Sequence, residues 1–342
     1  MKNEITLPAP DDWHAHFRFG EMLKDVVPWS AKQFRRCIAM GNVPPIETVA
    51  EAQAYDDECN DQSQKFGCTT LVSPKLIPTT TPYMVKEFSR SYFGRLKLYA
   101  GITTGSKGGL VDFRPLYSCL EVMQDCDMVL QIHAEDADPA VDCDQRERSC
   151  LPKVEQLSDD FPTLRIVVEH ISCRETVEFV RRMHEKTRPV AATVTLAHLK
   201  HNKNDVRGGE LEPQLIMKPE IQGFADQKAI MELVYESRPP NVFFGSDSAP
   251  HPAANKGPIK VANGGFTAPV LMPELVRLFQ VHANPDALAN FTSVFGADFY
   301  RLPRNKEKLV LIRKPWQVPE MIGAVRPYMA GQTLEWQVDG FI

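Results

Sequence analysis

Eight short runs rich in β-branched and aromatic residues recur along the chain, each followed by a stretch of helical period or a long loop. They fall at 12–17 (DWHAHF), 34–41 (FRRCIAMG), 68–73 (CTTLVS), 95–101 (RLKLYAG), 128–134 (MVLQIHA), 165–170 (RIVVEH), 190–195 (VAATVT) and 241–247 (NVFFGSD). Helical stretches separate them at about 21–32, 47–64, 82–93, 112–126, 151–160, 173–186 and 226–238, and a further region at about 269–300 completes the eighth unit. Parallel neighbours need a crossover between strands, so this alternation predicts a parallel sheet, and eight units is the count that closes a (β/α)8 (TIM) barrel. A doubly wound open sheet competes, but no Gly-rich phosphate loop follows the first run. The 342 residues are read as a single domain, 1–342, with the Pro-rich tail at about 303–342 as a C-terminal extension wrapping the barrel.

Polar residues of one chemical kind sit at the ends of those strands. His14 and His16 close the first as H-A-H, Asn42 follows the second, and Lys97 lies in the fourth. His133 ends the fifth, His170 the sixth, and Asp247 the eighth, within GSDSAPH. Barrel enzymes build their active sites at this carboxyl rim. Residues two apart on a strand share a face, so His14 and His16 can bind one ion. Leu96 and Leu98 are expected against the helix layer, which turns Lys97 into the barrel interior, where a lysine is costly unless paired or modified. Histidines and a carboxylate converging on such a lysine suggest a divalent metal site, and that donor set suits zinc. Taken singly, each residue has a blander reading. An H-x-H arises by chance, a strand-end histidine packs through hydrogen bonds, a strand-end aspartate caps the next helix, and a lysine snorkels. Five strands supplying metal-type residues to one rim is a different matter. His184 and His282 read as solvated or capping, while His198 and His201 could line the mouth but are not named as ligands.

Other classes are disfavoured by composition. A formal net charge of -5 gives no basic face for nucleic acid. No apolar run approaches the roughly 20 residues that span a bilayer, and the first residues lack the apolar core of a secretory signal, so a cytoplasmic location is expected. The eight cysteines form no C-x-x-C pair and read as reduced thiols.

With those residues in place, the chain resembles the class II dihydroorotases of the amidohydrolase superfamily. The segments DDWHAHFR (11–18), AMGNVPP (39–45), LKLY (96–99), IHAE (132–135), VVEHIS (167–172), AATVTLAHL (191–199), FGSDSAPH (244–251) and GFTAP (265–269) appear in family order. The resemblance implies two Zn2+ ions per chain. His14, His16 and Asp247 would hold the first, His133 and His170 the second, and Lys97, carboxylated by CO2, would bridge them. It further implies that Asp247 is the catalytic acid/base and that Arg18, Asn42 and His251 bind a substrate carboxylate. Ala268 and Lys218 would contact substrate through backbone groups, and Thr103 and Thr104 would sit on a loop that closes over it. The implied reaction is the reversible cyclisation of N-carbamoyl-L-aspartate to L-dihydroorotate in de novo pyrimidine (UMP) biosynthesis, carried out by a homodimer on a small-molecule substrate. Phe19, Gly41 and Lys218 depart from the family pattern, all near substrate positions. Two alternatives stay open: another cyclic amidohydrolase of hydantoinase type, and a catalytically dead homologue acting as an assembly partner.

Overall fold

The structure, a computed structural model, describes residues 3–42, 44–91, 93–101, 109–257 and 261–342. Eight parallel strands form its centre: β1 Asp11–Ala15, β2 Arg36–Met40, β3 Thr69–Ser73 continued by Lys75–Leu76, β4 Arg95–Tyr99, β5 Val129–His133, β6 Arg165–Val168, β7 Val190–Val194 and β8 Val242–Phe244. Each overlaps one of the eight runs read from sequence. They pair in chain order, β1 to β3 in one ladder and the second piece of β3 through β8 in the next. Pro74 divides β3 because it has no N–H for the ladder. The ring closes where the chain beyond β8 meets β1: Asp247 N–H donates to His14 O at 2.8 Å, and His16 N–H to Ser248 O at 2.9 Å. Ala15 and Ser248 form a parallel bridge there. The fold is a (β/α)8 barrel.

Helices Gly20–Ala31, Val49–Ser63, Pro82–Arg90, Tyr117–Asp125, Arg146–Asp160, Arg174–Glu185, Phe224–Met231 and Leu271–His282 follow β1 to β8 in turn. Local chemistry sets several starts. Thr48 and Glu51 form a reciprocal capping box, and Thr81 caps a helix that opens on Pro82. Two helical expectations need correction. The stretch expected at 151–160 begins earlier, at Arg146. The region expected at 269–300 is broken: its first helix ends at His282, and Asn284 caps a new one whose first residue is Pro285. Proline cannot continue a helix but fits its first turn.

Strand alternation sorts side chains into two cores. Leu96, Leu98, Leu130, Ile132, Ile166 and Val168 point outward into the large core shared with the helices. Their neighbours in sequence face inward, and Val129, Val167, Ala191 and Phe243 join Trp13, Ile38 and Met40 in a separate apolar cluster. Ala297 and Tyr300 belong to that inner cluster, with Tyr300 stacked on Trp13 at 4.7 Å. One step further along the same strands the inward positions turn polar. That is where the candidate site begins.

The inner cluster explains one glycine. A Cβ on Gly296 would stand 2.0 Å from Trp13 Nε1. Gly296→Ala is therefore expected to cost about 1–3 kcal/mol through overpacking, read as a lower Tm in thermal unfolding. An unchanged Tm would show that Trp13 is free to move.

The chain ends are tied together. Strand Glu4–Pro8 pairs antiparallel with Lys308–Ile312, which pairs in turn with Gln337–Phe341. Leu309, Leu311, Leu334 and Trp336 pack into the same core as the helix layer. Among the described residues no helix is long and apolar enough to cross a membrane.

Candidate metal centre and substrate cleft

The strand ends deliver their polar residues to one place. His14 comes from β1 and His16 from one residue beyond it; Lys97 is central in β4, His133 ends β5, and His170 and Asp247 lie just past β6 and β8. His14 Nε2 stands 3.4 Å and His16 Nε2 3.2 Å from Asp247 Oδ1. These three residues form a group able to hold a metal ion, their donor atoms all within 4.8 Å of one another. His133 Nδ1 and His170 Nε2 lie 3.1 Å apart as a second pair of donors. Zinc–nitrogen bonds of 2.0–2.1 Å in a tetrahedron place neighbouring ligand atoms about 3.3 Å apart. Both groups match that spacing, so the residues present fit divalent metal ions.

Buried carboxylates decide which lone pairs face the cluster. Glu169 Oε2 lies 2.8 Å from His14 Nδ1, and Glu135 Oε2 lies 2.7 Å from His133 Nε2. Glu135 accepts from His133 Nε2, which leaves Nδ1 with a lone pair turned toward the cluster, while Glu169 sets its negative charge against His14 Nδ1. Glu169 is itself anchored: Thr193 Oγ1 donates to it at 2.6 Å and Gln131 Nε2 at 3.0 Å. Sequence reading passed over both carboxylates. The signal was available, since Glu135 is two residues from His133 and Glu169 adjoins His170.

Lys97 is 0% exposed, and its ammonium has no hydrogen-bond partner among the described residues. Burial pulls that ammonium down to about 8, against the attraction of Glu169 and Asp247. His16 is pulled to about 3, first by burial and further by the Arg18 charge. Burial alone would raise the Asp247 carboxyl, but hydrogen bonds from His14 and His16 hold it well below the usual range. The rim thus combines a carboxylate, imidazoles and a buried lysine whose ammonium has no hydrogen-bond partner among the described residues.

Above the cluster opens a small cleft. His16, His133, His170 and Asp247 form its floor, and Arg18, Asn42, Tyr99, Lys218, Ala249, Asn263 and Gly264 its walls. Arg18 Nε donates to Pro250 O at 2.9 Å, and Arg18 Nη2 lies 3.3 Å from His251 Nε2. That histidine nitrogen donates to Asn263 O at 2.8 Å. Burial, reinforced by the Arg18 charge, lowers His251 to about 4, so the ring is neutral at pH 7. Lys218 reaches the cleft with its ammonium 3.2 Å from Glu220 and 4.0 Å from Glu135.

One placement differs from expectation. Ala268 does not line the cleft: its N–H donates to Ser248 Oγ and its C=O accepts from Gln33 Nε2, so both backbone groups are engaged. Asn263 and Gly264 occupy the wall instead. Thr103 and Thr104 lie outside the described residues. His198 is buried, with Nδ1 2.9 Å from Thr195 Oγ1 and Nε2 3.2 Å from Pro219 O, so both ring nitrogens have local partners.

No family model matches the chain. Barrel and rim together define an enzyme of the amidohydrolase superfamily. A dihydroorotase from Coxiella burnetii is 40% identical over 348 residues, covering 98% of each chain. The crystal structure of a dihydroorotase from Campylobacter jejuni matches with TM-score 0.89 and 34% identity, over 99% of this chain and 98% of its own. A dihydroorotase from Saccharomyces cerevisiae, solved in complex with 5-fluoroorotic acid, matches with TM-score 0.90 and 29% identity over 99% of both chains. The chain belongs to the dihydroorotase family. An L-hydantoinase from Arthrobacter aurescens shares the barrel at TM-score 0.84 but only 14% identity, a likeness of fold alone.

Proposed function

We propose that the protein is a zinc-dependent dihydroorotase that interconverts N-carbamoyl-L-aspartate and L-dihydroorotate in de novo pyrimidine biosynthesis. The observation that carries the reading is the donor geometry, with ligand atoms at coordination spacing and carboxylates fixing His14 and His133. In this reading His14, His16 and Asp247 would hold one zinc ion, His133 and His170 a second, and a carboxylated Lys97 would serve as a ligand shared between them. The unsatisfied Lys97 ammonium supports the bridge, because CO2 addition replaces a buried cation with an anionic ligand. When bound, such a pair supplies water acidified toward neutral pH and polarises the amide carbonyl.

The chain's own residues do the rest. Asp247, held as a carboxylate, accepts the proton from the attacking water and returns it to the leaving ring nitrogen. Ring closure runs the same proton path backwards. Arg18, anchored through Nε to Pro250 O, offers its terminal nitrogens to the substrate carboxylate beside Asn42 and His251. Asn263 in the cleft wall would take the backbone contact that the resemblance gives Ala268, whose N–H and C=O are already bonded; Lys218 reaches the cleft, and the resemblance implies that the Thr103–Thr104 loop closes over the substrate. A cytoplasmic homodimer, each chain folding as one domain, completes the proposal on the strength of the family resemblance.

The test is an assay of the purified, zinc-loaded protein in both directions, with Arg18→Met beside wild type. Breaking a desolvated charge pair should raise KM for dihydroorotate about 30-fold or more. A ring analogue that wild type hydrolyses and that lacks the carboxylate should be unaffected. Equal losses on both would place Arg18 in support of the metal site. A wild type that turned over only the carboxylate-free ring would make the protein a hydantoinase-type enzyme.

A further inference from the structure

Lys256 is 6% exposed and forms no ion pair among the described residues; the carboxylate charge it feels is that of the more distant Glu212. Its ammonium donates instead to three backbone carbonyls: Gly264 O at 2.7 Å, Ala262 O at 2.9 Å and Ile216 O at 3.2 Å. An ammonium has three donors, and all three are used. A buried cation with no carboxylate in direct contact is costly even when hydrogen-bonded. Burial shows the same pressure by lowering this lysine to about 8. A neutral polar residue would close a loop with less penalty, so what the three carbonyls position is worth asking.

They bracket the carboxylate end of the cleft. Ala262 and Gly264 flank Asn263, whose C=O accepts from His251 Nε2. Gly264 N–H donates to Ile216 O at 2.9 Å, so that carbonyl is held by two donors and joins the 261–265 loop to the segment carrying Lys218. The Ala262 carbonyl belongs to the same peptide as the Asn263 N–H, which finds no acceptor among the described residues. A donor on a peptide carbonyl polarises the amide and strengthens its N–H as a donor. The lysine thus fixes both sides of Asn263 and readies its free N–H for an anion.

The geometry points to Lys256 as a positioning residue for the substrate carboxylate: its ammonium locks the Ile216, Ala262 and Gly264 carbonyls so that Asn263 stands in the cleft wall and His251 stays against Arg18. This rests on the dihydroorotase reading. Lys256 does not touch the proposed metal ligands, so its effect should fall on substrate binding and leave the chemistry in place.

Lys256→Met, with similar bulk and no donors, should raise KM for dihydroorotate about tenfold while kcat stays within about threefold of wild type. Zinc content should match wild type. Lys256→Gln, which keeps an uncharged donor, should fall between the two, and it carries the comparison if the Met variant does not fold. A KM equal to wild type in either folded variant, or a kcat that falls with KM unchanged, would overturn the assignment. A wild type without dihydroorotase activity would instead overturn the functional reading, which keeps the two failures apart.

Discussion

Lys97→Ala is expected to remove turnover almost completely and to release bound metal. The Lys97 ammonium sits inside the barrel at 0% exposure, without a hydrogen-bond partner, close enough to Glu169 and Asp247 to feel both charges. If it carries CO2 and joins the two donor groups, alanine leaves the His133–His170 pair short of ligands. Metal ions are worth several kcal/mol of transition-state charge stabilisation, and each 1.36 kcal/mol is tenfold in rate, so kcat should fall by at least about a thousandfold. Metal analysis should find fewer equivalents than the two proposed for wild type. The variant should also melt earlier, since alanine leaves a cavity where a large, fully buried side chain stood and takes a positive charge from beside buried Glu169. Full activity in the variant, or an unmodified lysine in an electron-density map of active wild type, would rule out the bridge.

Asp247→Asn should separate metal binding from proton transfer. Asparagine keeps an oxygen near His14 and His16 but cannot carry a proton, so substantial metal should remain while kcat drops about 10²–10⁴-fold. The carboxyl sits well below its ordinary range because His14 and His16 hydrogen-bond to it, which keeps it a base at neutral pH. A variant retaining more than about a tenth of wild-type kcat would mean that another group moves the proton.

The barrel was legible because its signal is local. Each strand announces itself by composition, and period-two alternation turns Lys97 inward, between Leu96 and Leu98 in the outer core. The chain-end sheet was not legible in the same way. Glu4–Pro8 is five residues long and its partner begins at Lys308, so nothing near it in sequence marks the pairing. The break before Pro285 carried a visible proline, yet the apolar pattern on both sides read through it. At the site, Glu169 and Glu135 were passed over because they sit beside more conspicuous histidines. The choice between Ala268 and Asn263 was beyond reach of the sequence, because which backbone groups face a cleft depends on partners such as Ser248 and Gln33.

Arg18, His170 and Asp247 share one further property: their φ angles are 61°, 43° and 45°, in the left-handed region that suits glycine. An L side chain there costs of order 1 kcal/mol, so the three together withhold about 3 kcal/mol from a fold whose net stability is of order 5–15. Glycine at any of the three positions would relax the backbone and melt later, with the chemistry gone. Thr187, Arg238 and Met329, away from the cleft, adopt the same backbone region, so the strain itself is not peculiar to the site. What sets Arg18, His170 and Asp247 apart is that their unfavourable backbone delivers three side chains to one cleft.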